Sequence, residues 1–208
     1  MDKQYITLIL VILFILVIIF IFFSLNKRYK NLNKILEALG LKGKFIYWFS
    51  KFKIKYKDET LTLNYTTVYQ FEDAISGLDI TIPCHSGLEM SIEKRDQIKD
   101  WLFEKKSGLV PPSLKDFFIS PLDESFAISL FHDEKPVNII KNLFNMGAKF
   151  LYCDGRYLKV RLAIPIETKD FSYFKTFIDE LIEFRNLLIA KSSLFTQRTI
   201  VTKTVMKG

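Results

Sequence analysis

From Leu8 to Phe23 sixteen consecutive residues are apolar, and Tyr5, Ile6, Thr7, Ser24 and Leu25 lengthen the run without adding a charge. As a helix rising about 1.5 Å per residue, Tyr5 to Leu25 covers roughly 31 Å, the thickness of a hydrocarbon core of about 30 Å. Isoleucine and valine are poor helix formers in water. In lipid a lone segment can satisfy its backbone polar groups only as a helix. A cleaved signal peptide is the competing reading, and three features oppose it. The run is too long, no small-x-small cleavage site follows it, and a cationic cluster comes directly after. Residues 1–25 therefore read as an uncleaved, single-pass transmembrane anchor. Lys3 and the α-amino group precede the run, whereas Lys27, Arg28, Lys30 and Lys34 follow it. The positive-inside rule then puts the N-terminus outside and the rest of the chain in the cytoplasm.

Leu32, Ile35, Leu36 and Leu39 fall at i, i+3, i+4 and i+7, one helical face, and Gly40 supplies a stop. Residues 26–40 are thus expected to continue the helix as a stalk docked on a soluble domain, 41–190. Within that domain residues 44–93 alternate with the period of strands. Phe52, Ile54 and Tyr56 share one face; a turn at Lys57–Thr60 would pair Tyr56 with Leu61, Ile54 with Leu63 and Phe52 with Tyr65. Leu78, Ile80 and Ile82 lead through Pro83–Gly87 to Leu88, Met90 and Ile92, a second hairpin that completes a four-stranded meander. A helix is expected over Asp96–Ser107, a hinge near 108–113, a strand at Lys115–Ile119, a brief helix starting at Ser120, and another over Pro136–Met146. Asp154–Gly155 is the strongest hairpin turn, between Lys149–Cys153 and Arg156–Ile164. A long amphipathic helix, Phe171–Ala190, carries an apolar stripe including Phe174, Phe177, Leu181 and Leu188, with Asp170 as N-cap. Residues 191–208 read as a basic tail that frays. The fold class is α+β: an N-terminal transmembrane helix, an antiparallel meander, short helices, a β-hairpin and a long C-terminal helix.

The net charge of +7 conceals a division. Residues 26–57 hold a net +9, 58–190 a net −6 and 191–208 a net +4. Lys27, Arg28, Lys30 and Lys34 on the stalk, with Lys51, Lys53, Lys55 and Lys57 on one side of a strand, form a basic collar beside the anchor. Such residues are attracted to anionic headgroups by about 1 kcal/mol each. The strand lysines equally suit an edge strand that must not pair with another chain. Nucleic acid is a poor partner, because alternation puts these lysines and the aromatic residues on opposite faces, whereas a single-strand binder needs both on one surface.

Chemistry is sparse. Cys84–His85 is the only adjacent thiol–imidazole pair, and neighbours in a strand loop point apart. Cys84, His85, His132 and Cys153 lack paired metal-ligand spacing, so no metal or other cofactor is expected. Two cysteines favour a reducing compartment over a disulfide scaffold. No phosphate loop and no nucleophile elbow occurs, and the acid pairs Asp123–Glu124 and Asp179–Glu180 read as helix surface. No catalytic residue is expected. The sequence points to a non-enzymatic binding or assembly module at the membrane, with the bilayer and a protein as partners. Two alternatives stand beside it: a lipid- or amphiphile-binding domain with a cavity between sheet and long helix, and a membrane-tethered enzyme.

Overall fold

The structure is a computed structural model that describes residues 3–38, 43–46, 51–70, 73–95, 112–121, 124–163 and 170–205. Helix α1 (Lys3–Ala38) is continuous. Residues 5–23 lie fully in the open, with Phe20 75% exposed, whereas Leu32 and Leu36 farther along the same helix are buried. One helix thus has two environments, and the boundary falls where the apolar run ends. Tyr29 stacks on Phe52, ring centroids 5.8 Å apart.

Among the described residues eight strands follow: β1 (Lys44–Ile46), β2 (Lys51–Tyr56), β3 (Glu59–Gln70), β4 (Asp73–Pro83), β5 (Glu89–Lys94), β6 (Phe117–Pro121), β7 (Ala148–Asp154) and β8 (Tyr157–Ala163). They form one sheet in the order β1-β2-β3-β4-β8-β7-β5-β6, every pair antiparallel. The meander is real, but its members are β1 to β4. The expected hairpin of β4 with β5 does not form. Leu78, Ile80 and Ile82 pair with Leu162, Val160 and Leu158 of β8, while Met90 and Ile92 pair with Cys153 and Leu151 of β7. Alternation fixes which face a strand buries and leaves its neighbour open. The β7–β8 hairpin slots between β4 and β5, and the segment joining those two strands crosses over its turn. There Cys84 N donates to Arg156 O at 2.7 Å and Gly87 N to Gly155 O at 3.0 Å.

Two turns differ from expectation in register. Lys57 and Asp58 both have positive φ, +46° and +64°, which makes the β2–β3 connection a two-residue type I′ turn. Ile54 therefore faces Leu61 and Phe52 faces Leu63, two residues from the expected register, and the apolar face is kept because the shift is even. In the other hairpin the turn is Gly155–Arg156, one residue later than expected. Asp154 stays in β7, where its Oδ1 accepts from Arg156 N at 3.0 Å and Tyr157 N at 2.7 Å. Gly155 has φ +80°, and a Cβ on it would lie 3.2 Å from the Gly87 carbonyl carbon. Strain at that φ and the close approach of the crossover act together. Gly155→Ala is expected to destabilise the domain by about 1–3 kcal/mol in chemical denaturation, and a value within error of zero would mean that the turn has relaxed.

A 3-10 turn (Pro112–Leu114) precedes β6, and then come α2 (Glu124–Phe131), α3 (Glu134–Asn145) and, after β8, α4 (Phe171–Val205). The expected brief helix is α2, and it starts at Glu124 instead of Ser120: Ser120 and Pro121 close β6, and Pro121 sits on an edge strand, where a missing N–H is tolerated. α3 begins two residues before the expected Pro136, which occupies the helix's first turn, where its nitrogen has no bond to lose. α4 begins at the expected place, with Asp170 Oδ1 accepting from Tyr173 N at 3.0 Å. It does not end at Ala190. The residues read as a fraying tail continue the helix to Val205, and the hydroxyls of Ser192 and Ser193 turn back to Ile189 O instead of breaking it. The helix expected over Asp96–Ser107 and most of the hinge at 108–113 lie outside the described residues.

The core lies between one face of the sheet and the helices. Phe52, Leu61, Leu63, Leu78, Ile80, Leu158 and Leu162 meet Phe174, Phe177, Leu181, Phe184 and Leu188 of α4, all at most 2% exposed. Lys53, Lys55 and Arg161 lie exposed on the sheet's other face.

Candidate membrane-facing site

The direction in which α1 leaves the domain follows from its contacts. Tyr29 lies on Phe52, and Leu36 packs where a Cβ on Gly43 would also strike Ile54 and Phe52 at 2.7–2.9 Å. From its N-terminal side the helix thus climbs β2 toward the Lys57–Asp58 turn. Its apolar run departs from the opposite end of the sheet. Phe23, the last apolar residue of the run, and Tyr29 are separated by about 9 Å of helix, comparable to a headgroup layer roughly 5–8 Å deep.

The eight lysines and arginines of the expected collar do not form one surface. Lys27, Lys30 and Lys34 are exposed on α1, along the turns between the apolar run and the buried Leu36. Arg28 occupies the same stretch of helix. Lys51, Lys53 and Lys55 alternate with buried Phe52, Ile54 and Tyr56, so they occupy the face of the sheet away from α1. Lys57 departs from that set. It belongs to the turn at the far end of the sheet, and its Nζ bonds Asp179 of α4 at 2.8 Å on the helix-covered side. A positive φ takes it out of the strand's alternation. β1 pairs with β2 only at Lys51–Lys53, which leaves the outer half of β2 without a described neighbour on that side.

Chemistry-bearing residues are placed mostly in structural roles. Cys84 is buried and His85 exposed, so the adjacent thiol and imidazole point apart. Cys84 instead meets Cys153, their sulfurs 3.8 Å apart, with Ser86 Oγ 3.4 Å from Cys153 Sγ. The hydrogen bond shared by the two sulfurs lowers the Cys153 pKa, and the same bond together with burial raises that of Cys84. No sequence spacing reveals this pair, because it exists only once β7 has been inserted beside the crossover. His132 lies 3.8 Å from Asp133, which accepts from Lys191 at 2.7 Å, and all three are solvated. Beside them Ile128, Phe131, His132, Glu134, Asn138 and Lys141 line an open groove of about 560 Å³. Asp179 accepts from the Tyr56 hydroxyl at 2.9 Å, and Glu180 from Asn142 at 3.1 Å. Glu124 is exposed on α2, and Asp123 lies outside the described residues. Among the described residues no group of three His, Cys, Asp or Glu could hold a metal.

Arg185 belongs to no motif in the sequence. It is 7% exposed, and its guanidinium forks onto both carboxylate oxygens of Glu59, beside the β2–β3 turn. The signal was present: Arg185 stands four residues after Leu181 and three before Leu188, on the apolar stripe of α4.

No family model and no curated protein matches the chain. Among solved structures it is similar to the crystal structure of the mycobacterial trehalose monomycolate transport factor A, TtfA. The TM-score is 0.43 and the identity 9%, over 79% of this chain and 94% of that one. A likeness of that size falls short of a shared fold, and the function below rests on this chain's own geometry.

Proposed function

We propose that the protein is a single-pass membrane protein whose α+β domain is a non-enzymatic binding module, held against the cytoplasmic face of the bilayer. One observation carries this reading: α1 passes from a fully exposed apolar run into a buried contact with the sheet without a linker. A continuous helix transmits the membrane's position to the domain directly, and the short distance from Phe23 to Tyr29 leaves the domain at headgroup level. Lys27, Lys30 and Lys34 then face anionic headgroups from the positive-inside side. The surface offered to a protein partner is the sheet face that no described helix covers, where half-buried Phe150 and Tyr152 lie beside the Asp79–Arg161 ion pair. Confinement to a surface raises the effective concentration of whatever binds there.

The amphiphile-binding alternative needs a cavity between sheet and long helix. Phe52, Phe174, Phe177 and Phe184 fill that space, and this favours the first reading.

Protease added to inside-out vesicles is expected to digest the domain, while right-side-out vesicles protect it. The reverse pattern would place the domain outside. A photo-cross-linking residue at Tyr152 is expected to give a discrete protein adduct in native membranes that the same residue at Asp58 does not give. Identical adducts from both positions would remove the open face as the binding surface.

A further inference from the structure

The two cysteines of the chain meet although 69 positions separate them. Cys84 opens the crossover from β4 to β5, and Cys153 is the next-to-last residue of β7. Both are free thiols, buried at 0% and 1% exposure, with their sulfurs 3.8 Å apart. A disulfide holds its sulfurs at about 2.05 Å, so a bridge needs roughly 1.8 Å of closure. Residues 84–88 belong to no strand, and the crossover can move by that amount without breaking a sheet ladder.

Burial alone makes a cysteine an inert filler. Two further observations point to chemistry. Ser86 Oγ lies 3.4 Å from Cys153 Sγ, and the Gly155 N–H bonds the same sulfur. The bond shared with Cys84, helped by these two donors, brings the Cys153 pKa down to about 6. The shared bond and burial push Cys84 up. At neutral pH one sulfur is therefore the thiolate and its neighbour keeps a proton, the arrangement of a nucleophile beside its resolving partner. The crossover next to them reaches the surface: Ser86 is half-buried, and His85 and Gly87 are exposed. A small oxidant has a short way in.

We propose that Cys84 and Cys153 are a reversible redox pair, whose disulfide fastens the crossover to β7 in response to a hydroperoxide. The Cys153 thiolate attacks the terminal peroxide oxygen, the O–O bond breaks, and an alkoxide or hydroxide leaves with the proton that Cys153 gave up. Cys84 sulfur then attacks the sulfenic sulfur on Cys153, and its own proton departs with the displaced hydroxide as water. Two thiols are oxidised and one hydroperoxide is reduced, to an alcohol or water and a further water. Exchange with small thiols, which end as a disulfide of their own, reopens the pair. The pairing does not depend on which side of the membrane holds the domain. By constraining the unfolded chain, a bridge of this kind favours folding by roughly 30- to 1,000-fold.

The test uses the full chain in detergent micelles, reduced and then exposed to hydrogen peroxide. Non-reducing peptide maps are expected to show Cys84 joined to Cys153 within single chains, and dithiothreitol to release them. The oxidised protein should melt several degrees above the reduced one. Ser86→Ala, with its fold checked by circular dichroism, should form the bridge several-fold more slowly. Both thiols still free after peroxide, or Cys153 carried to sulfinic acid while Cys84 stays reduced, overturns the pair. A bridge that leaves the melting temperature unmoved or lower overturns the fastening. An unchanged rate in Ser86→Ala overturns Cys153 as the activated sulfur.

Discussion

Replacing Ile15 and Ile18 together by arginine is expected to take the protein out of the membrane while leaving its domain folded. Both positions lie mid-way along the apolar run of α1 and are about half exposed, 49% each, with no protein packed around them. An arginine near the centre of a spanning helix costs about 2.5–3.5 kcal/mol of insertion free energy, so two amount to roughly a 10⁴-fold shift against the bilayer. Contact between α1 and the domain involves Tyr29, Leu32 and Leu36, more than one helical turn beyond Ile18. The soluble fraction should therefore keep the unfolding transition of the domain. If the double variant stays in the alkali-resistant pellet, α1 is not the anchor.

The second large effect belongs to the ion pair that fastens α4 to the β2–β3 turn. Glu59→Ala leaves the buried Arg185 guanidinium without its carboxylate, and an orphaned buried charge costs about 3–5 kcal/mol. Arg185→Met, which keeps volume and removes the charge, should cost far less. In a double-mutant cycle the second substitution should therefore recover much of the loss caused by the first; additivity would show that the pair is not coupled. Acid provides an independent readout. Arg185 holds the Glu59 carboxyl below its ordinary pKa of 4.5. A depressed folded-state pKa means that this stabilisation is fully present above the unfolded value and is lost as pH falls through the folded one. Stability should thus fall below about pH 4.5 in the native protein and less steeply in Glu59→Gln. At the alkaline end burial, with the Asp179 hydrogen bond, pushes Tyr56 up to about 12. Its contribution is complete below pH 10 and disappears as pH rises through about 12.

Much of this architecture is written locally in the chain. The apolar run, the strand alternation of Phe52–Tyr56 and Leu78–Ile82, and the cap at Asp170 each depend on a few neighbouring residues. The strand pairing depends on distance. Pairing of Ile80 with Val160 spans 80 residues of sequence, and nothing in the period of either strand names the other. The same is true of Cys84 with Cys153, which meet only because the inserted hairpin carries Cys153 to the crossover. Turn registers failed for a different reason. Lys57 is an uncommon residue at positive φ, so a two-residue turn at Lys57–Asp58 gave no glycine or asparagine signal. The length of α4 was underestimated because an apolar stripe marks where a helix is packed, and a helix continues beyond its packing when its residues permit.

Insertion of β7–β8 between β4 and β5 also sets a timetable for biosynthesis. A ribosome adding about 5–20 residues per second delivers the β1–β4 meander soon after α1. β4 then waits with a bare hydrogen-bonding edge until β8 arrives about 80 residues later, an interval of roughly 4–16 s. During that wait the nascent chain is a half-sheet open to pairing with any other strand. Its vulnerability to misassembly should therefore be greatest in translation, before β8 has been synthesised.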